Sequence, residues 1–211
     1  QPETWKAALA GVTRAYVTYQ PDLAVAGSDE AIAHLAKLAL EAGLKQMVLL
    51  SGRGEPGAQR AEAALWESGL PWSVVRASWF NQNFSEGYLL GSVLDGELAL
   101  PAGPVPEPFL DAGDIADVAV ATLTDPRHIS RLYEVTGPRA LTFAEAVDEI
   151  SRAAGRTIRF REVSARDFAA SMEGHAPQEV VDLLLDLFTV VLDGRNSAVA
   201  DGVQEALNRP P

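Results

Sequence analysis

The run of residues 46–51, which reads Gln-Met-Val-Leu-Leu-Ser, constrains the fold more than any other feature of this chain. Side chains alternate between the two faces of a strand, so a run that is apolar at successive positions belongs to a strand covered on both faces. Shorter β-rich runs lie before it at residues 14–19 and after it at residues 72–76. Together these runs are typical of a parallel sheet.

Amphipathic helical patterns separate the strand-like runs. After Ser28, which is a good N-cap, apolar residues recur at helical spacing up to Gly43. A second helix is predicted over residues 58–67, before Ser68 and Gly69. Strand, helix and strand in this order predict right-handed parallel crossovers and an α/β fold.

Beyond Phe80 the pattern becomes looser and more helical. Thr142 and Glu145 form a capping box, and Ser164 and Pro177 are typical of helix starts. We also expect Asp114 to cap a helix. The elements predicted here are helices over 84–93, 114–122, 142–155 and 177–194, a helix from Ser164, and strands over 97–100, 132–136 and 158–163.

The charge balance and the scarcity of metal-binding residues exclude several classes of protein. Asp and Glu number 29 against 17 Lys and Arg, a net charge of -12. A surface this acidic repels phosphate backbones, so direct nucleic-acid binding is not expected. Three scattered His and no Cys argue against zinc or iron–sulfur sites, and no Cys means no disulfide and no thiol catalysis.

No stretch of the sequence predicts a membrane span. The most apolar helical run, 180–192, contains Asp182 and Asp186 and is shorter than the roughly 20 apolar residues that a span needs. Residues 1–6 do not resemble a signal peptide, so we expect a cytoplasmic protein. They also lack an initiator Met, which suggests that Gln1 is not the natural start.

Four stretches carry a resemblance to a known family: residues 48–52, 61–84, 109–119 and 133–142. The second is the most specific, with Glu62, then Ser-Gly-Leu-Pro-Trp-Ser-Val-Val-Arg ending at Arg76, and Trp-Phe-Asn-Gln-Asn beginning at Trp79. In content and order these stretches resemble the NmrA-like family of atypical short-chain dehydrogenase/reductase proteins. The resemblance implies an NAD or NADP cofactor bound by a Rossmann-like sheet.

The resemblance also implies a division of the chain. The expected fold is α/β, a Rossmann-like parallel sheet with a smaller, mainly helical C-terminal substrate region. Residues 1–80 would be a partial dinucleotide-binding domain, with the strand at 132–136 joining its sheet. Residues 81–211 would mainly bind substrate.

The glycine motif of the family is missing. The family opens with a strand and a G-x-x-G-x-x-G turn that holds the pyrophosphate at a helix N-terminus. Residues 52–57 match G-x-G-x-x-G, but in family order they follow the later strand that carries Ser51. We therefore favour a flexible loop here over a phosphate cradle. The chain is expected to begin about two strand–helix units into the family pattern, leaving a bare edge on the strand at 14–19.

The catalytic pair of many short-chain dehydrogenases, Tyr-x-x-x-Lys, is also missing. Where many relatives carry a Lys, this chain has Arg60, which could hold a ribose or phosphate but is no general acid. A proton donor is not evident from the sequence. Water or the substrate would supply the proton, which suits quinone-like acceptors because the reduced oxygen is stabilised by delocalisation.

Candidate site residues follow from family order. Strand-end loops would hold the cofactor and flat aromatic rings would stack on the substrate. The alternatives are a buried strand stopped by Pro21, a turn-forming Ser51, and a core aromatic pair. The cofactor candidates are Thr18, Tyr19, Gln20, Ser51, Gly52, Arg60, Ala77, Ser78 and Trp79, and the substrate candidates are Trp79, Phe80 and Asn83.

The remaining polar candidates have weaker support. Asp111 and Asp114 could act as acid and base, but a helix cap and a turn explain them better. His175 is a weak candidate for a proton donor. Of the other charged groups, Arg76 is expected in a structural ion pair, His34 in a structural role, and His128 in an exposed loop.

Two functions of different classes fit these observations. The first is an NAD(P)H-dependent oxidoreductase acting on a planar conjugated acceptor, such as a quinone, a dye or an aromatic polyketide, as the resemblance implies. The second is a non-catalytic NAD(P)-binding redox sensor that contacts a protein partner. A third reading is a fragment that acts only through its surface. A homodimer is a further expectation.

Overall fold

The computed structural model describes residues 2–211. The strands are β1 (Arg14–Val17), β2 (Gln46–Gly52), β3 (Trp72–Ala77), β4 (Glu97–Leu100), β5 (Arg131–Val135) and β6 (Arg159–Glu162). The helices are α1 (Pro2–Ala8), α2 (Ser28–Glu41), α3 (Pro56–Glu67), α4 (Gln82–Ser85), α5 (Leu90–Asp95), α6 (Ala112–Thr124), α7 (Phe143–Ala154), α8 (Ala165–Met172), α9 (Gln178–Asp186) and α10 (Gly202–Leu207). Short 3-10 and π-helical turns lie at Pro126–His128 and Leu187–Val191.

The chain divides into two compact units. The first contains the residues up to Ala77 together with Gly113–Val135 and Ala200–Pro211, and the second contains Ser78–Ala112 and Thr136–Val199. Helix α6 and α10 therefore group with the first unit, whereas the sequence had suggested the C-terminal region for both. The assignment of one part to the dinucleotide and the other to the substrate stays a prediction.

A parallel sheet forms the centre of the first unit. Its strand order is β1-β2-β3-β5, and each neighbouring pair is parallel. Met47, Val48 and Leu49 are fully buried, as expected for a strand covered on both faces. The α/β fold class and the predicted strands of the sheet are confirmed. Within residues 2–211, β1 pairs with β2 alone, so its second edge carries no ladder of hydrogen bonds.

Helices α2 and α3 cover the sheet through small and branched side chains. Ile32 and Ala36 of α2 and Ala58, Ala61 and Leu65 of α3 are buried in one cluster with the strands. Small residues let helix backbones approach closely, and the branched ones fill the remaining space. Burial of this kind contributes about 25 cal/mol for each Å² of apolar surface removed from water.

The second unit is mainly helical around an aromatic core. Phe143 is fully buried, and Phe109 packs against it edge-on with ring centroids 5.1 Å apart. Strands β4 and β6 form a small parallel sheet beside this core. The predicted capping box is confirmed, because the Thr142 hydroxyl accepts from the Glu145 amide at 3.1 Å and the Glu145 carboxylate accepts from the Thr142 amide at 2.8 Å.

Three predictions about local structure were wrong. Gly27, not Ser28, is the N-cap of α2, and the Ser28 hydroxyl instead donates to the Leu23 carbonyl at 2.6 Å. Helix α6 begins at Ala112, so Asp114 lies in its first turn and is not its cap. The helix expected over 84–93 is broken into α4 and α5. Among residues 2–211, every helix is too short or too polar to cross a bilayer.

His128 was predicted in an exposed loop but is buried, with 2% of its surface exposed. The turn at Pro126–His128 brings its ring onto β5, where Nδ1 lies 2.6 Å from the Tyr133 hydroxyl oxygen. The Ser73 hydroxyl fixes the same turn by donating to the His128 carbonyl at 2.7 Å. Burial, helped by the charge of Arg127, lowers the pKa of His128.

This burial predicts a loss of stability in acid. Below about pH 6.5, the ordinary histidine pKa, the unfolded chain binds a proton that the folded chain resists. Neutral His128 therefore makes its full contribution to the free energy of unfolding above about pH 6.5. This contribution declines as pH falls toward the lowered pKa of His128 in the folded state.

Urea unfolding between pH 5 and pH 8 tests this expectation. His128→Gln should weaken the dependence on pH and cost about 1–3 kcal/mol, because the Tyr133 hydroxyl loses its partner. The exposed His175→Gln is the matched control. A pH dependence that is the same in both variants would contradict the prediction.

Candidate functional site

The carboxyl ends of β1, β2, β3 and β5 lie at one edge of the sheet, because all four strands are parallel. Doubly wound α/β folds bind their ligands at this edge. In the first unit it carries the candidates 18–20, 51–52 and Ala77, and the turn between β2 and α3.

A row of polar residues crosses the sheet just before this edge. The register pairs Ser51 of β2 with Arg76 of β3, and Arg76 with Glu134 of β5. Glu62 of α3 reaches this row, and its side chain is fully buried. Arg76 Nε donates to Glu62 Oε1 at 2.9 Å, and Arg76 Nη2 makes a second short contact with Glu62 Oε2. The predicted ion pair of Arg76 is confirmed.

The network extends to a second Arg. Arg76 Nη1 donates to Glu134 Oε1 at 2.9 Å, and Arg53 Nε donates to Glu134 Oε2 at 3.2 Å. The hydrogen bonds to Glu62 are the main reason that the pKa of Arg76 is raised. Helix α3 and three strands are thus joined by charge-assisted hydrogen bonds, the stronger kind in proteins.

Ser51 is held by the same network. Its hydroxyl donates to Glu62 Oε1 at 2.6 Å. A serine hydroxyl has one hydrogen and two lone pairs, so Ser51 can only accept a hydrogen bond from a ligand. Ser51 is therefore suited to orient a ligand hydroxyl or amide, and it is not suited to donate a proton.

Glu55 fills the turn between β2 and α3. Its carboxyl lies directly on Gly52, where a Cβ atom would stand 2.1 Å from Glu55 Oε1. Glu55 is 8% exposed, and its Oε2 has no hydrogen-bond donor. Burial, followed by the charge and the hydrogen bond of Asp22, raises the pKa of Glu55 to about 8. The raised pKa favours the protonated form of this carboxyl at neutral pH.

The glycines of the G-x-G-x-x-G pattern serve packing. Gly52 leaves room for the Glu55 carboxyl, and a Cβ atom at Gly57 would stand 2.3 Å from the Ala24 carbonyl oxygen. Asp22 shapes the turn that approaches Gly57, because its Oδ1 accepts from the Ala24 amide at 2.7 Å. The segment is a closely packed turn, which corrects the expected flexible loop. A carboxyl already occupies the space in which a phosphate cradle would bind its anion.

The other cofactor candidates of the first unit are more exposed. Thr18 and Gln20 are exposed, and Tyr19 packs partly against the core cluster of this unit. Arg60 lies 4.0 Å from Asp29 and lines a shallow depression with Glu30 and Glu67 among its other walls. Because three acids surround Arg60, this surface does not favour a phosphate. Its role as a cofactor ligand stays a prediction.

In the second unit, the aromatic candidates contribute to the core. The Trp79 ring packs edge-on against Phe143 with centroids 5.2 Å apart, and it also contacts Phe188. Its backbone carbonyl accepts from the Leu110 amide at 2.8 Å. Trp79 remains half-buried, as do Phe80 and Asn83. Their contact with substrate stays a prediction.

Ser78 is buried in the second unit. Its hydroxyl donates to Glu107 Oε2 at 3.2 Å, and both residues are almost fully buried. The hydroxyl hydrogen is thereby committed to a carboxylate, as it is at Ser51.

The acid/base candidates from the sequence, Asp111, Asp114 and His175, each contact a different partner in the structure. Asp111 accepts from the Gln82 side chain at 3.3 Å, and Asp114 pairs with Arg209 at 2.7 Å. His175 is exposed in a turn, with Nδ1 3.0 Å from the Glu173 carbonyl oxygen. Asp111 thus has a structural hydrogen bond, and Asp114 forms an ion pair instead of the predicted helix cap.

These residues fit one part of a nicotinamide dinucleotide. The Ser51 hydroxyl oxygen supplies one acceptor of the kind that ribose hydroxyls and a carboxamide need. Over residues 2–211, the glycine pattern is filled by protein and gives no cradle for a pyrophosphate. A role of Ser51 at the nicotinamide end of the cofactor stays a prediction.

Sequence reasoning missed Asp22, Glu55 and Glu62 as parts of the site. A signal was present for the first two, since each follows closely after a strand of the predicted sheet. Only the fold shows that Asp22 and Glu55 meet. Glu62 carried no signal beyond its position in a family motif, because its burial depends on the packing of α3 against the sheet.

Comparisons with known proteins bear on the chain as a whole. The NmrA-like family matches residues 59–201. An NAD(P)H azoreductase of Xenophilus azovorans is 31% identical over 220 residues, covering 100% of this chain and 76% of that protein.

Two solved structures share the fold. Triphenylmethane reductase of Citrobacter sp., solved with NADP(H), has a TM-score of 0.81 at 20% identity, covering 100% of this chain and 77% of that one. The NADPH-dependent quinone oxidoreductase QOR2 of Escherichia coli, solved with NADPH, has a TM-score of 0.81 at 20% identity, covering 100% and 76%.

The Glu62–Arg76 pair predicts a large effect on stability. Glu62→Gln leaves the Arg76 guanidinium without its buried countercharge and should lower the free energy of unfolding by about 3 kcal/mol or more. The measurement is urea denaturation followed by circular dichroism.

The matched control is Glu149→Gln, which removes the acid of the exposed pair with Arg139 and should change stability far less. Equal losses in the two variants would show that burial does not set the strength of the first pair.

Proposed function

This chain belongs to the NmrA-like family, and from that premise we propose that it is an NAD(P)H-dependent oxidoreductase acting on a planar conjugated acceptor. The observation that carries the proposal is the 31% identity with an NAD(P)H azoreductase, which extends over the full length of this chain. Acceptors of the quinone, azo dye, triarylmethane dye or aromatic polyketide type belong to the class we propose.

The names of the relatives support this class of acceptor. One is an azoreductase, one a triphenylmethane reductase and one a quinone oxidoreductase. Azo, triarylmethane and quinone groups differ in the atom that is reduced, but each is a flat conjugated system that accepts two electrons. A site built for such acceptors needs a flat surface and a means to place the cofactor.

The residues of this chain would orient the cofactor and the acceptor, and the cofactor would carry the redox chemistry. A bound reduced nicotinamide provides the hydride. Ser51 is fixed by Glu62, so its lone pairs point in one direction, and we propose that it orients the nicotinamide end. Trp79 and Phe80 would stack on the flat acceptor, with Asn83 beside them.

The cofactor form, the compartment and the assembly are finer proposals. The residues described here do not favour NADP over NAD, because the acid or Arg that reads the ribose 2′ position in such folds follows the second strand of the family pattern. Cytoplasmic action and a homodimer stay predictions.

Reduced-cofactor oxidation tests the proposed function. We expect NADPH, NADH or both to be consumed when the protein is mixed with a quinone, an azo dye or a triarylmethane dye. The measurement is the loss of absorbance of the reduced nicotinamide, with protein-free mixtures as the blank.

If the protein binds the cofactor but reduces no acceptor, the redox-sensor function is favoured over the enzyme function. Quenching of Trp fluorescence by the cofactor, with no consumption across the acceptor panel, is the result that favours the sensor. If the protein neither binds the cofactor nor reduces an acceptor, the proposed activity is wrong. The interpretation that is then left is a fragment that acts only through its surface.

Ser51→Ala should weaken the use of the cofactor. Loss of one oriented hydrogen bond, worth about 1.4 kcal/mol, corresponds to about a tenfold fall in kcat/KM for the reduced cofactor. Glu62 keeps both contacts with Arg76, so the fold should be retained. The control is Ser85→Ala on α4, where the serine is exposed. An unchanged kcat/KM in Ser51→Ala would remove Ser51 from the site.

A further inference from the structure

Two carboxyl groups meet at the ends of neighbouring strands. Asp22 follows β1, Glu55 follows β2, and their side chains are within hydrogen-bond reach of each other. Ionised carboxylates have no hydrogen to donate. A contact between two of them, with one buried, is therefore stable only when a proton lies between them.

Within residues 2–211, the charges that shift the pKa of Glu55 are those of acids. Apart from Asp22, the charged group that acts on Glu55 is Glu62, which is also negative and is already paired with Arg76. Glu55 precedes the N-terminus of α3, which would favour a negative charge, but its side chain makes no capping hydrogen bond. Burial is the main cause of the raised pKa of Glu55, and the neutral form is favoured at pH 7.

We propose that Asp22 and Glu55 form the proton-donating pair of the reduction, in which Glu55 stores the proton and the half-buried Asp22 delivers it. The proposal rests on the proposed oxidoreductase function. It supplies the donor that the sequence does not reveal, at the sheet edge where such folds bind their ligands.

The polar groups of the Glu62 network, Ser51, Arg53 and Arg76, are poor donors. The Ser51 hydrogen is held by Glu62. Arg53 and Arg76 are held in ion pairs, and a guanidinium does not release its proton in this pH range. Glu55, in contrast, is almost fully buried, and its Oε2 has no hydrogen-bond partner, so no donor stabilises a negative charge on that oxygen.

The proposed step balances in atoms and charge. A quinone or azo acceptor gains a hydride and becomes an anion on oxygen or nitrogen. The O–H bond of the carboxyl pair breaks, and a new O–H or N–H bond forms on the acceptor. Asp22 and Glu55 are left with two negative charges, and the pair recovers one proton from water at the half-buried Asp22.

The acceptor decides whether a proton is needed. A hydride converts a triarylmethane cation directly into a neutral product, so no proton is used. A quinone becomes a delocalised hydroquinone anion, whose need for a proton is moderate. An azo group becomes a far more basic nitrogen anion. Loss of the donor should therefore slow azo reduction most and triarylmethane reduction least.

Glu55→Gln tests the proposal in the full chain. The amide can still donate a hydrogen bond to Asp22 but cannot transfer a proton. General acid catalysis contributes about 100-fold or more, so kcat for an azo dye should fall by that order while kcat for a triarylmethane dye stays near the wild-type value. Asp22→Asn should show the same selectivity, and the exposed Glu41→Gln on α2 should show none.

The pH profile gives a second readout. The wild-type rate with the azo dye should fall as pH rises through about 8, where the pair loses its proton. The triarylmethane rate should show no such fall. Infrared difference spectra, recorded without cofactor, should show a protonated carboxyl that titrates near the same pH and is absent in Glu55→Gln.

The outcomes separate this proposal from the proposed function. Equal slowing with all acceptors, or no slowing with any, would overturn the proton-donating role while leaving the oxidoreductase activity in place. Normal turnover without a titrating carboxyl would do the same. If the wild-type chain reduces none of the acceptors, the proposed function fails and the donor proposal fails with it.

Discussion

The buried carboxylate of Glu62 is the interaction on which the rest of the first unit depends. It accepts hydrogen bonds from Arg76 on β3 and from Ser51 on β2, and Arg76 carries the contact onward to Glu134 on β5. Removal of Arg76 or of Glu62 alone would leave its charged partner without a buried countercharge, which is strongly destabilising. Helix α3 and the strands β2, β3 and β5 are therefore fixed relative to one another by this network.

Two buried glutamates near the end of β2 have neighbours of opposite charge. Glu62 has a guanidinium within hydrogen-bond distance, whereas Glu55 has only another acid, Asp22, beside it. Burial penalises a negative charge on either side chain, and Glu62 alone of the two has a guanidinium to offset that penalty, whereas the pKa of Glu55 is raised to about 8. Pairs of carboxyls with separated roles are the usual basis of acid/base function in enzymes. This contrast gives the edge of the sheet both a rigid support and a source of protons.

Much of the fold could be predicted from local patterns. Strands β2 and β3 and the capping box at Thr142 follow from apolar runs and from hydrogen bonds between near neighbours in the chain. The wrong predictions concern residues whose hydrogen-bond partners lie outside their own helix or turn. Ser28 satisfies a carbonyl of the preceding turn instead of its helix, and His128 is folded onto Tyr133 by a turn that Ser73 fixes from another strand. The candidate site divides in the same way, because the family resemblance predicts a role for Ser51 and nothing in the sequence predicts one for Glu55.

The amino-acid sequence by itself determined the parallel sheet, the family and the acidic surface, because each depends on residue order or composition along the chain. Only the tertiary structure decided the chemistry of the site. The charge state of Glu55 depends on burial under the turn at Asp22, and the donor capacity of Ser51 depends on Glu62, which lies eleven residues away. Protonation and hydrogen-bond direction are properties of a group's surroundings, and those surroundings exist only when separate strands and helices have packed together.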